Sequence, residues 1–164
     1  DPTASDTVIV NGTTATNAIS VTGFTRDGAT VTGAQPVPVT VTTAEHLTIV
    51  GQGGDDTLTV TSPDDGSEIT FTPGATVDAG SITQFGFDAG TSLLPLNYTT
   101  LGGGGSLTFD VDGGDRESGL DIRGTDNDDQ FDVTSRATGT VLIVKPTFGI
   151  DVTLPITTTG VVFL

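Results

Sequence analysis

Short stretches of four to six residues, in which apolar and polar side chains alternate, recur along the whole chain. Turn signals such as Asn11-Gly12, Asp27-Gly28 and Pro73-Gly74 separate them. Alternation with a period of two is typical of strands with one buried face, and Gly, Asn and Asp are the residues that tight turns favour. Thr, Val and Ile make up 59 of the 164 residues, and such β-branched side chains suit a pleated surface. The chain is therefore predicted to be all-β, with no helix of more than one turn.

The composition predicts one domain, residues 1–164, with a thin core. Only 34% of the residues are hydrophobic, and the aromatic residues are eight Phe and Tyr98. Two architectures remain open. A parallel β-solenoid with coils of irregular length is our leading prediction, and an antiparallel β-sandwich is the alternative, because the many turn dipeptides favour hairpins.

An internal repeat favours the solenoid. Residues 47–62 align without gaps with residues 120–135, and eight of the sixteen positions are identical. Each copy is expected to form a strand, a Gly/Asp turn and a second strand. In the first copy Leu47, Ile49, Leu58 and Val60 would share one face, and in the second Leu120, Ile122, Phe131 and Val133 would do so. Because such a unit cannot bury its own apolar face, the copies are expected to stack on one another.

Charge and cysteine content limit the possible partners and the expected location of the protein. The chain has 21 Asp and Glu against five Lys and Arg, which excludes nucleic acid as a partner. Its acids are 18 Asp and three Glu, and it has no cysteine. This Asp excess suits turns and oxygen-ligand metal sites rather than helical surfaces, so we expect an extracellular or cell-surface location. No apolar run approaches the roughly 18 residues of a membrane span, so membrane insertion is not expected.

The segment 51–59 carries a family resemblance. With Gly51, Gly54, Asp56 and Leu58 it resembles the nonapeptide of the RTX, or hemolysin-type calcium-binding, proteins, Gly-Gly-x-Gly-x-Asp-x-apolar-x. The segment 124–132 keeps Gly124, Asp129 and Phe131 of the same pattern. The resemblance implies calcium as a cofactor, with Asp56 and Asp129 as ligands. Their neighbours Asp55 and Asp128 join the candidate set, because a bound cation would relieve the repulsion between adjacent carboxylates.

A second acidic cluster is a further calcium candidate. Asp110, Asp112 and Asp115 lie close together around Gly113-Gly114, and closely spaced Asp and Gly permit the tight wrap that a hard cation needs. The EF-hand spacing is not met, and a solvated acidic turn is the alternative interpretation.

Catalysis is not expected. The chain's single histidine, His46, stands immediately before a predicted strand, and a Cys-based or multi-histidine zinc site is impossible with this composition. We therefore predict a protein that is not an enzyme, with His46 at the surface or at a strand edge.

The leading functional prediction is an extracellular structural protein that assembles head to tail in a surface layer, filament, sheath or adhesin stalk. If the end of one copy is joined to the start of the next, Val161 and Phe163 fall on Leu47 and Ile49, and Val8 falls on Leu58. The alternative is a calcium-dependent binding or adhesion module for a carbohydrate, such as a surface polysaccharide, or for a cell surface.

Overall fold

The structure is a computed structural model that describes residues 5–63, 66–110, 118–124, 130–134, 140–147 and 150–159. In the last three ranges it gives the backbone, together with the burial of Ile156. The described residues form strands and connecting turns without a helix, so the all-β prediction is confirmed for them. It follows that none of the described residues belongs to a helix that could cross a membrane. The strands are β1 Thr7–Asn11, β2 Ala18–Thr22, β3 Ala29–Thr32, β4 Val39–Val41, β5 His46–Val50, β6 Thr57–Thr61, β7 Ser67–Pro73, β8 Gly80–Gly86, β9 Thr91–Ser92, β10 Leu96–Thr99, β11 Ser106–Asp110, β12 Gly119–Ile122, β13 Gln130–Thr134, β14 Thr140–Thr147 and β15 Ile150–Thr159.

The strands form two mixed sheets. The first has the order β1-β5-β10-β8-β7-β12, with β9 beside β8, and the second has the order β13-β14-β15-β11-β6-β2-β3-β4. Parallel and antiparallel pairs occur in both sheets. Neither sheet closes into a barrel.

A parallel stack of three strand–turn–strand units runs through both sheets. We call these the stacked units: residues 7–22, 46–61 and 96–110. In the first sheet Val8 lies beside Leu47, and Leu47 lies beside Leu96. In the second sheet Ile19 lies beside Leu58, and Leu58 lies beside Leu107. The intervals are therefore 39 and then 49 residues in both sheets.

The inner faces of the two sheets share one hydrophobic core. The side chains of Leu47, Ile49, Leu58 and Val60 are fully buried, as their alternation predicts. Phe71 in the first sheet lies 6.1 Å, ring centre to ring centre, from Phe109 in the second. This aromatic pair spans the two layers, so both sheets contribute to a continuous core.

The structure corrects the expected role of the internal repeat. Residues 47–62 and 120–135 each provide one strand to each sheet, as β5–β6 and β12–β13. They do not stack on one another, because β5 lies between β1 and β10 and β12 pairs with β7. The identical residues therefore do not mark the units that stack, and the stacked units share few residues in their turns.

The second copy of the repeat is also less buried than predicted. Leu120 and Ile122 of β12 are only half-buried and pack at the margin of the core. The side chains of Phe131 and Val133 lie outside the described residues. The placement of Val8 differs as well, since β1 joins the sheet of β5 and puts Val8 beside Leu47 rather than in the position of Leu58.

Candidate functional site

The turns of the three stacked units lie against one another at the corner between the sheets. We call residues 12–17, 51–56 and 100–105 the stacked turns. The backbone N–H of Gly12 donates to Val50 O at 2.7 Å, and that of Gly51 donates to Thr99 O at 3.0 Å. Further along, Gly53 N–H donates to Thr100 O at 2.7 Å. The parallel pairing of the strands thus continues into the turns.

The middle turn has an unusual backbone. Gln52, Gly53, Gly54 and Asp55 all have positive φ, at 67°, 80°, 109° and 60°. Gly adopts this region without cost, and Asp tolerates it better than most residues. Four consecutive residues of this turn are left-handed. This backbone therefore requires the Gly-rich sequence that carried the family resemblance.

Asp56 is the central side chain of the stacked turns, and it is fully buried. Its Oδ1 accepts a hydrogen bond of 2.7 Å from the backbone N–H of Asn17 in the preceding turn. Its own N–H donates to Leu101 O in the following turn, and its carbonyl accepts from Ser106 N–H. Asp56 therefore connects all three units.

The second carboxylate oxygen of Asp56, Oδ2, is buried and has no hydrogen-bond partner among the described residues. Burial raises the pKa of this carboxyl, the hydrogen bond from Asn17 lowers it, and the neighbouring Asp55 raises it again; the net change is upward from 3.8. An unpaired carboxylate oxygen without solvent is costly, and either a proton or a cation would remove that cost.

Gly51 forms the wall beside Oδ2. A Cβ at this position would lie 2.3 Å from Asp56 Oδ2 and 2.6 Å from Thr100 O, so only glycine fits. Both oxygens are thus close to one point, and they are at most about 4.9 Å apart. A carboxylate oxygen and a carbonyl oxygen are the ligand types that calcium prefers.

Asp55, the other predicted ligand in this turn, points elsewhere. It is exposed, and its Oδ1 accepts a hydrogen bond of 2.7 Å from Gly104 N–H in the next turn. A Cβ on Gly104 would lie 2.9 Å from the carboxyl carbon of Asp55. Asp55 is therefore a turn-stabilising residue in this structure, and the two adjacent carboxylates do not converge.

The structure does not bring the remaining described candidate to this site. Asp110 is the last residue of β11 and lies beside Thr61 at the far end of β6, four residues from Thr57. At about 3.3 Å per residue it is about 13 Å along the strand from the turn. Asp112, Asp115, Asp128 and Asp129 lie outside the described residues. Within the described ranges, no three acidic or histidine side chains form a group that could hold a metal ion.

Calcium takes six to eight oxygen ligands. The stacked turns supply one unpartnered carboxylate oxygen and a nearby carbonyl, so the described residues alone do not make a complete calcium site. Asp56 remains the best candidate ligand among them, because it is the buried acid with an unpartnered oxygen.

His46 opens β5, and its side chain is exposed. Its backbone N–H donates to Asp6 O at 3.1 Å. The exposed side chain agrees with the predicted place at the surface, but β5 lies between β1 and β10, so His46 is not on an edge strand.

Asn17 is the site residue that sequence reasoning missed. Its N–H holds Asp56 Oδ1, its carbonyl accepts from Thr57 N–H, and its own Oδ1 accepts from Thr13 N–H. Its partners lie as far as 40 residues away, and no local motif indicated them.

Comparison with known proteins finds no family model, no curated protein and no solved structure that matches this chain.

Proposed function

We propose that the chain is a structural segment of an extracellular assembly, such as a surface layer, filament, sheath or adhesin stalk, and that its copies associate head to tail. The observation that supports this most directly is the parallel stacking of three units, in which β1 is the outermost of the described strands of its sheet on that side. Stacked units of this kind behave as a short solenoid, and each needs a neighbour to cover it.

Burial along the stack supports the proposal. Leu47 on β5 and Leu96 on β10 are fully buried, whereas Val8, at the same position on β1, is only half-buried. Ile9, on the outer face of β1, is 59% exposed. The middle and last units are therefore fully covered at this position, whereas the first unit is not at Val8, although Val10 on the same strand is buried.

The composition supports the proposed extracellular location. An excess of Asp over Glu, a formal net charge of −16 and the absence of cysteine suit an extracellular structural protein that is stable without disulfides. We assign no catalytic role to His46 or to the acidic side chains.

Light scattering as a function of concentration tests the proposal, together with negative-stain microscopy of the same samples. We expect the mass to grow without a fixed endpoint, because a head-to-tail contact does not close. Elongated particles or a lattice should appear in the images. A chain that stays monomeric at every concentration and ionic strength would contradict the proposed function.

A calcium-dependent binding or adhesion module is the second candidate, and the unpartnered Oδ2 of Asp56 favours it. In this case calcium should raise the melting temperature of the monomer, and a chelator should reverse the change. Asp56→Asn should abolish that response, while Asp55→Asn should leave most of it. Identical melting curves with calcium and with chelator would reject this candidate.

A further inference from the structure

The outer face of the first sheet has a row of three side chains across β7, β8 and β9. Phe85 on β8 lies directly opposite Glu68 on β7 and opposite Ser92 on β9. Opposite residues of antiparallel strands point to the same face, with Cβ atoms about 4.5–5.5 Å apart. Thr70 and Thr83 form the next such pair along β7 and β8. These five side chains therefore share one area of the surface, which we call the β8 face.

The β8 face is an open depression rather than a flat surface. Its five side chains, together with part of Gln84, line a space of about 270 Å³. Beyond Glu68, the neighbouring strand β12 places Gly119, where even a Cβ would have open space around it. No side chain of β12 therefore closes the depression beside Glu68. A space of this volume is at the small end of ligand sites, so it suits one ring-sized unit of a ligand.

The groups of the β8 face are available to a ligand. Phe85 is 41% exposed, although it is a large hydrophobic side chain. Within the described ranges, the carboxylate of Glu68 has no hydrogen bond or ion pair, and the hydroxyls of the three Ser and Thr side chains have none either. The nearest acid on β12, Asp121, is instead paired with Arg123 at 3.3 Å. Glu68 is thus the unpaired carboxylate of this face.

Each kind of group on the β8 face selects a property of the ligand. The face of an aromatic ring attracts a cation, and a carboxylate beside the ring adds to that attraction. Hydroxyl side chains both donate and accept hydrogen bonds, so several of them together suit a ligand with hydroxyls of its own. The formal net charge of −16 attracts cations and repels acidic polymers. An ammonium group on a polyhydroxylated ring combines these properties.

We infer that the β8 face binds a glycan that carries free amino groups, with one protonated amino sugar in the depression. The ammonium group would lie between the ring of Phe85 and the carboxylate of Glu68, and the sugar hydroxyls would bond to the hydroxyl side chains. This site goes beyond the structural role proposed above. It is also separate from Asp56, because Gly80 lies beside Tyr98 near the stacked turns and Phe85 is five residues, about 17 Å, further along β8.

Calorimetric titration with a fully deacetylated glucosamine tetrasaccharide tests the class of ligand. The buffer is mildly acidic, so that the sugar amines are protonated, and it contains a chelator. We expect saturable binding. The N-acetylglucosamine tetrasaccharide has the same rings without the charges, and tetralysine has the charges without the hydroxyls, so each should bind at least about tenfold more weakly. No binding of the deacetylated sugar, or equal affinity for either comparison ligand, would overturn the inference.

Substitutions locate the site. Phe85→Ala removes the ring and Glu68→Gln removes the charge, and each should weaken binding of the deacetylated tetrasaccharide by about three- to tenfold. Phe87→Ala is the control for the ring, because Phe87 is 36% exposed but does not line the depression. Asp55→Asn is the control for the charge, because Asp55 is exposed at the stacked turns. Both controls should bind within about twofold of the natural chain.

A second pair of variants separates the ring from its apolar area. Phe85→Tyr keeps an aromatic ring and should keep the affinity, whereas Phe85→Leu keeps an apolar side chain and should lose it. Since Phe85 and Glu68 are exposed, all variants should melt like the natural chain.

The outcomes distinguish this site from the proposed function. Equal losses for Glu68→Gln and Asp55→Asn would mean that diffuse negative charge attracts the glycan, and equal losses for Phe85→Ala and Phe87→Ala would mean that the depression is not the site. Either result would overturn the inference while assembly, measured by light scattering, is unaffected. A chain that stays monomeric but binds the glycan through Phe85 and Glu68 would support the site and contradict the proposed function.

Discussion

The carboxylate of Asp56 accepts a hydrogen bond from the backbone N–H of Asn17 at 2.7 Å, across 39 residues of sequence. The same interval separates the paired strands on both sides of the turn, such as Val8 beside Leu47 and Ile19 beside Leu58. A buried acid thus fixes the register of the first two stacked units at the corner between the sheets. Its charge has consequences for stability that can be measured.

Asp56→Asn should stabilise the chain at neutral pH in the absence of calcium. Burial raises the pKa of Asp56 above its unfolded value of 3.8. Stability from this group is therefore fully present below pH 3.8 and is lost as the pH rises from there through the folded pKa. The amide keeps the acceptor for Asn17 and removes the buried charge, so we expect a gain of about 1–3 kcal/mol at pH 7.

Denaturant unfolding at several pH values checks this prediction. The difference between Asp56→Asn and the natural chain should shrink as the pH falls through the raised folded pKa toward 3.8, and it should be small below that, because both side chains are then neutral. Asp55→Asn is the control, since it removes one negative charge from an exposed side chain, and it should not show the gain expected of Asp56→Asn at pH 7. An Asp56→Asn variant that is less stable than the natural chain at pH 7 would contradict the argument.

Gly51→Ala should destabilise the stacked turns more than Gly53→Ala. The added methyl at Gly51 would lie 2.3 Å from Asp56 Oδ2 and 2.6 Å from a backbone carbonyl, so the turn must shift, at a cost of about 1–3 kcal/mol or more. Gly53 has open space around the same methyl but a φ of 80°, so its cost is about 1–2 kcal/mol. Thermal melting of the two variants measures the order, and a greater loss for Gly53→Ala would contradict the close approach of Gly51 to Asp56.

Leu58→Ala and Thr59→Ala test the assignment of inner and outer faces on β6. Leu58 is fully buried, and its loss should cost about 2–5 kcal/mol through the cavity that it leaves. Thr59 points to the other face and is only half-buried, so its replacement should cost less than about 1 kcal/mol. Equal losses in denaturant unfolding would mean that the two faces are not distinguished as described.

The sequence predicted where strands form better than it predicted which strands pair with one another. Alternation predicts strands over residues 18–22, 29–32, 57–61 and 130–134, and β2, β3, β6 and β13 have these bounds, because alternation and turn residues are local signals. Alternation predicts no strand at β10, because it has four residues and follows Pro95 in the stretch 91–96, which is the most helix-like part of the sequence. Pro95 is compatible with that position, since its carbonyl accepts from Leu47 N–H and no donor is needed there.

Which strands pair depends on contacts distant in sequence. The repeat of 73 residues is evident in the sequence, but stacking uses intervals of 39 and 49 residues, which no residue pattern marks. The candidate site shows the same difference between local signals and contacts distant in sequence. The nonapeptide resemblance singled out Asp56, whereas Asn17 could not be found, because its role comes from a neighbouring turn rather than from its own sequence context.

Salt should promote self-association. The formal net charge of −16 makes copies of the chain repel one another at low ionic strength. Raising the ionic strength from 0.01 to 0.15 M shortens the screening length from about 30 to about 8 Å. Light scattering should therefore show a lower threshold concentration for assembly as sodium chloride is added. Calcium chloride at matched ionic strength should lower the threshold by the same amount if screening is the cause, and by more if a bound cation contributes. Assembly that weakens as salt is added would mean that attractive ion pairs hold the copies together.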